Sequence, residues 1–198
     1  GPVVAADESR LYFTTRRKEN GGAIATDGLP YEDIWYSTRA EDGTWEPAKP
    51  IGPPINSPHH DATVSLSLDG RTIYFYRDVG QGNIYRCLLR NDHWTEPVPE
   101  GKPVQSKYRE PSASLSPDGK TLYFTSDRPG GLGGLDIYYT RRGPDQKWGE
   151  PVNMGPTINT PFDEDGPFIH PDGRTLYFSS RGHTTMGGYD IFKTVYDK

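Results

Sequence analysis

Three acidic residues return at one place in a repeating phrase. Asp61, Glu110 and Glu164 each stand eight residues before an aspartate that opens a turn, at Asp69, Asp118 and Asp172. If equivalent residues of a repeat are arranged around an axis, these acids crowd one mouth of a central channel. They could hold a cation or a basic peptide there. The other reading pairs each acid with an arginine that follows the next strand, among Arg16, Arg77, Arg128 and Arg181. Such pairs would tie neighbouring repeats together. Asp163-Glu164-Asp165 adds local acidity but lacks the spaced D-x-D-x-D-G pattern of a calcium loop. His59-His60-Asp61 could bind a metal, yet adjacent histidines on an extended segment point to opposite sides, which favours a loop role. His170 reads as a turn residue, and His93 and His183 have no evident partners in the sequence. We expect no metal site and no cofactor.

Nucleophilic chemistry has little support either. Cys87, the single cysteine, sits in the strand-like run NIYRCLLR without a Cys/His signature and reads as a buried structural thiol. No Ser/His/Asp order, paired catalytic carboxylates or zinc signature can be built from linear spacing, so no catalytic residue is assigned and no enzyme is expected. The glycine-rich runs PGGLGGLD (129–136) and TTMGGYD (184–190) are not phosphate loops, because no Walker lysine follows and no helix begins there. They read as exposed connections between strands. Arg128, Leu132, Met186 and Tyr189 are the candidates for a contact surface on those loops.

The elements that position these residues come from a fourfold repeat. SPDGKTLYFTS (116–126) returns as HPDGRTLYFSS (170–180), SLDGRTIYFYR (67–77) and, in worn form, AADESRLYFTT (5–15). The anchors Asp7, Asp69, Asp118 and Asp172 recur with a period of roughly fifty to sixty residues. Each Asp-Gly suits a tight turn, with Gly tolerating positive φ and Asp bonding nearby backbone. The apolar run behind it reads as a short buried strand. A second phrase follows in every copy: EDIWYST, GNIYRCL, LDIYYTR and YDIFKTV. A third, a Trp with a proline two or three residues after it, follows in three copies, and a fourth precedes the next anchor. Four short strands per unit of about fifty residues is the pattern of a β-propeller blade. The expected fold is all-β, a β-propeller of four-stranded antiparallel blades with about four repeats visible, forming part of a larger ring. Neighbouring blades would stack and share a core. In the notation of strands a to d, the copies run abcd, abcd, abcd, abc, with strand d placed around each Trp.

Gly1-Pro2 matches the scar of a tag-cleaving protease and is set aside. Residues 3–198 are expected to form a single propeller domain, with repeats at about 3–60, 61–109, 110–163 and an incomplete 164–198. Either four blades close imperfectly or further blades belong to a longer chain. A net charge of −5 with mixed signs argues against nucleic acid, which needs a concentrated basic surface. No stretch is apolar over the roughly 18 residues that a spanning helix needs, so no direct membrane insertion is expected of this segment.

The run SPDGKTLYFTSDRPGGLGGLDIYY (116–139) resembles the WD40-like repeat of TolB-type propellers. WGEPVNMGPTINT (148–160), EDGPFIHPDGRTLYFSSRGH (164–183) and MGGYDIF (186–192) make the chain resemble, more narrowly, the propeller of a Bacteroidetes-type OmpA-family envelope lipoprotein. One member of similar architecture belongs to the type IX secretion machinery. The first copy departs most, with Asp7-Glu8 for Asp-Gly and an insertion at 17–32. The resemblance implies a periplasmic location, associated with the outer membrane through other parts of the parent chain. It implies a non-catalytic protein-interaction scaffold whose partners are envelope proteins, with peptidoglycan reached through neighbouring domains. The alternative is a propeller that binds a glycan or peptidoglycan fragment. The copies do not fit the sialidase Asp-box, in which a residue separates Asp from Gly.

Overall fold

The computed structural model describes residues 2–17, 24–80 and 82–196. Part of the insertion in the first copy, and Gly1 of the Gly-Pro pair, lie outside them. Every regular element among the described residues is a β-strand. The chain forms four antiparallel sheets in sequence order, each a propeller blade. Contacts divide it into two compact units, Gly1–Gly80 with Tyr85–Pro99, and Gln81–Ile84 with Glu100–Lys198.

The first sheet is β1 (Val3–Val4), β2 (Arg10–Thr15), β3 (Asp33–Thr38) and β4 (Lys49–Pro50), hydrogen-bonded in that order. The second is β5 (Asp61–Leu66), β6 (Thr72–Arg77) and β7 (Asn83–Arg90), with β8 (His93–Trp94) and β9 (Val98–Pro99) both pairing with β7. The third is β10 (Ala113–Leu115), β11 (Thr121–Ser126), β12 (Asp136–Arg141) and β13 (Val152–Asn153). The fourth has three strands: β14 (Glu164–Ile169), β15 (Thr175–Ser180) and β16 (Asp190–Val195).

The turn phrase does what its chemistry allows. Asp69 Oδ1 accepts the Arg71 N–H at 3.0 Å and the Ser67 hydroxyl at 2.5 Å, while Gly70 takes φ +68°. Asp118 repeats this with Lys120 and Ser116, and Gly119 takes φ +70°. In the worn copy Glu8 sits at φ 57°. That conformation costs a side chain what it does not cost glycine.

Strand d lies within the expected Trp-Pro phrase, beyond its first proline, at β4, β9 and β13. Trp45, Trp94 and Trp148 themselves lie on short extensions that fold back on the end of strand c, through the bridges Arg39↔Trp45 and Arg142↔Trp148 and through β8. The proline removes a backbone donor, so a ladder starts more readily beyond it.

The core of each unit lies between its two sheets. In the first, Tyr12 and Ile34 pack with Ile55, Ile73, Phe75 and Cys87. In the second, Ile137 packs with Ile158 and Phe178. Polar clasps join the sheets inside each unit at matching positions. Thr14 Oγ1 accepts the Thr63 N–H at 3.0 Å, and Thr125 Oγ1 donates to Asp165 at 3.2 Å.

Candidate functional site

Asp61, Glu110 and Glu164 are fully buried. Their bonds run to the segment just before them and to the strand that follows. Arg77 Nε donates to Asp61 Oδ1 at 2.6 Å, and Ser57 donates its N–H and hydroxyl to Oδ2 at 2.8 and 2.7 Å. Arg128 Nη2 reaches Glu110 Oε1 at 3.2 Å, beside the Ser106 and Ser126 hydroxyls. Glu110 Oε2 is buried with no hydrogen-bond partner among the described residues. Glu164 is held otherwise: Thr160 donates its N–H and hydroxyl at 2.7 Å each, and Ser180 its hydroxyl at 2.6 Å. Arg181 lies 3.8 Å from Asp163 instead, and Arg16 bonds Asp27 at 2.5 Å. The acids therefore fasten the chain segment that enters each blade. Burial pushes the Asp61 and Glu110 carboxyls above the usual range, opposed by the serines and arginines beside them.

Sequence reasoning missed two parts of this arrangement. The first is the hydroxyl four residues before each acid: Ser57, Ser106 and Thr160. The constant spacing was its signal. The second is a basic group laid across the aromatic pair of strands b and c in every blade. Arg17 lies 5.8 and 5.0 Å from the Phe13 and Trp35 ring centres. Arg77 lies 5.2 and 5.4 Å from Phe75 and Tyr85, and Arg128 lies 4.9 and 5.3 Å from Phe124 and Tyr138. In the fourth blade His183 takes this place, 5.8 and 5.0 Å from Phe178 and Phe192. Arg77, Arg128 and His183 also each meet a carbonyl of the preceding linker, at Ile55, Val104 and Ile158. Because Arg77 and His183 sit at other offsets after Tyr-Phe than Arg17 and Arg128 do, alignment alone hides the equivalence.

Arg128 is thus inside its blade and corrects the expectation that placed it on a contact surface. Leu132, Met186 and Tyr189 are exposed, Met186 at 99%. His60 Nδ1 accepts the Glu32 N–H at 3.1 Å, and its ring packs on Tyr31. Among the described residues no three His, Cys, Asp or Glu side chains come together to hold a metal. The pKa of the Cys87 thiol is pushed up to about 12 by burial, so no thiolate is available there at neutral pH.

One blade face differs from its equivalents. Ile34 pairs with Thr14, Ile137 with Thr125, and Ile191 with Ser179, so the three isoleucines share a register. The first two are fully buried, whereas Ile191 is 80% exposed. Phe168, Tyr177 and Val195 share its side of the sheet with Lys193. Met186 and Tyr189 lie in the loop leading to this strand.

No protein-family model matches the chain, and no curated protein matches it in sequence. Solved structures do. TolB from Acinetobacter baumannii aligns at 18% identity and TM-score 0.64, over 98% of this chain and 40% of that one. A gluconolactonase from Xanthomonas campestris aligns at 16% identity and TM-score 0.58, over 98% of this chain and 56% of that one. A puromycin hydrolase aligns at 13% identity and TM-score 0.56, over 98% of this chain and 26% of that one. The chain therefore spans well under two thirds of each. These likenesses show the propeller fold, which TolB-type proteins and hydrolases share.

Proposed function

We propose that this segment is a non-catalytic protein-interaction module of a bacterial envelope protein. It acts in the periplasm, near the outer membrane, as the propeller of an OmpA-type lipoprotein resembling a component of type IX secretion. The observation that carries the reading is the propeller fold shared with TolB, on which the glycine-rich loops of the third and fourth blades stand exposed at Leu132, Met186 and Tyr189. The exposed side of the fourth sheet, with Ile191, corresponds to the side by which the first and third blades pack on the next blade, so it is a blade-packing surface. Exposed loops on a rigid support are the usual place for partner contacts. The buried acids and stacked cations support the same reading, because they hold the blades rigid.

The test is an affinity capture from a bacterial envelope extract, run with the parent chain and with Met186→Ser, each with and without muramidase digestion. A few proteins enriched by the parent, retained after digestion and lost with Met186→Ser are expected. Equal capture by both chains overturns the surface assignment. Capture that disappears on digestion overturns the protein-scaffold reading in favour of a cell-wall glycan.

A further inference from the structure

A second feature, separate from the apolar face, lies within the second unit. Between the third and fourth blades, at the Asp-Gly turn end, is a cleft of about 730 Å³. That size falls in the range of small-ligand sites. Its floor is apolar, formed by Met154, Ile158, Ile169 and Leu176. One wall is the cross-strand pair Tyr123 and Tyr139, with ring centres 6.4 Å apart. Neither phenol has a hydrogen-bond partner among the described residues. At the rim, the Arg141 guanidinium rests 5.4 Å over the Tyr139 ring. That ring is its partner; no carboxylate pairs with Arg141 among the described residues. The corresponding cleft in the first unit is about 280 Å³, with Leu68 and Leu89 where this one has Pro171 and Tyr196. The larger cleft is therefore a local departure from the repeat, not a consequence of it.

An apolar floor, free phenols and one guanidinium without a carboxylate define a ligand. We propose that this cleft binds a monocarboxylate with an apolar body, the carboxylate seated on Arg141 and the body between Tyr123, Tyr139 and the floor. Arg is suited to that role because its fork donates two parallel bonds to a carboxylate. The phenols can donate to the same oxygens or to an adjacent amide. Asp118 and Asp172 line the cleft from their turns. Hydrogen bonds from Ser116 and Lys120 hold the first below the usual carboxylate range, and bonds from Thr175 and Arg174 hold the second below it. Both are therefore anionic at neutral pH and select against a second carboxylate on the ligand. The required chemistry occurs in a free arylalkyl acid and in the C-terminal residue of a peptide.

Isothermal titration of the whole chain at low ionic strength tests this. The probes are N-acetylphenylalanine, its C-terminal amide, phenylsuccinate and the peptide acetyl-Gly-Gly-Phe. N-acetylphenylalanine is expected to bind at least tenfold more tightly than the amide and than phenylsuccinate. Arg141→Met is expected to abolish that preference, while Arg109→Met, outside the cleft, leaves it unchanged. The peptide binding tenfold more tightly than N-acetylphenylalanine identifies a chain terminus as the ligand. Equal affinity identifies a free acid. Equal binding of acid and amide, no binding of any probe, or unchanged binding by Arg141→Met overturns the proposal.

Discussion

The pairing of Asp61 with Arg77 makes a sharp quantitative demand. Asp61 is fully buried, and the Arg77 side chain is 12% exposed, so solvent screens the pair little. Arg77→Met keeps an unbranched chain against Phe75 and Tyr85 but removes the donor to Asp61 and the donor to the Ile55 carbonyl at 2.6 Å. Stranding one member of a buried pair costs about 3–5 kcal/mol. For a chain of this length that lowers Tm by roughly 6–20 °C, at about 2–4 °C per kcal/mol. The cost must also depend on pH. The folded carboxyl already lies above its unfolded value because of burial, with Arg77 and Ser57 opposing. A raised folded pKa contributes stability that is present below the unfolded value and is lost as pH rises through the folded one. Deleting Arg77 raises the folded value further, so more stability is lost on the way to neutrality. The penalty of Arg77→Met should therefore be smaller at acid pH, where Asp61 takes up its proton, than at neutral pH. Asp61→Asn in the Arg77→Met background should restore about 2 kcal/mol at pH 7, because it removes the uncompensated charge. Urea titrations of the parent, Arg77→Met, Asp61→Asn and the double variant at several pH values measure this. A penalty independent of pH, or no recovery in the double variant, refutes the pairing as the reason both residues are there.

Four further outcomes can be checked by simple measurements. Gly133→Ala should destabilise by about 3 kcal/mol or more in thermal melts, since its Cβ would strike the Phe162 and Thr160 carbonyls. Gly187→Ala, in a similar-looking run, should melt with the parent, because its Cβ meets open space and surface changes of that kind are nearly neutral. Gly119→Ala should cost about 1 kcal/mol, because an alanine is strained at the positive φ the turn needs. Cys87 should resist iodoacetamide at pH 8 in the folded chain and react on unfolding, because its thiol is buried and its pKa lies at about 12. Labelling of the folded chain at the rate of a free thiol would contradict that burial.

The blade plan was legible because it is written in local chemistry. An Asp-Gly turn, a Tyr-Phe strand and a second alternating strand need only their own residues to be recognised, and all four copies fold as spelled. Strand d was legible only to within its Trp-Pro phrase, because a two-residue strand is defined by pairing with strand c. The Asp61–Arg77 link was legible as one of two readings, since both partners occupy regular positions. The stacked cations were not, because Arg77 and His183 reach the place of Arg17 and Arg128 from different offsets. Long side chains absorb such differences, and residue spacing does not record them. The exposure of Ile191 was equally hidden: its phrase, YDIF, differs little from LDIY, and only packing distinguishes the two.

That contrast bears on where activity resides. Features shared by the copies are consumed by folding: the aspartates of the turns bind backbone, the leading acids bind hydroxyls and arginines, and the aromatic pairs carry basic groups. A residue bonded in this way is unavailable to a partner without cost to the fold. What remains available lies where a copy departs from the others. Met186 projects fully exposed from its loop, and Pro171 and Tyr196 line a wide cleft where Leu68 and Leu89 line its smaller counterpart. All these departures fall in the fourth repeat. A partner-binding variant confined to that repeat should therefore change binding with little change in stability. Variants of the shared positions should do the reverse. Measuring both quantities for Met186→Ser and for Ser106→Ala separates the two classes. The first should alter capture while Tm stays within about 2 °C of the parent, as expected of a surface change. The second removes a hydroxyl bonded at 2.5 Å to a buried carboxylate. It should lower stability by about 1–3 kcal/mol, with capture unchanged while the chain is folded.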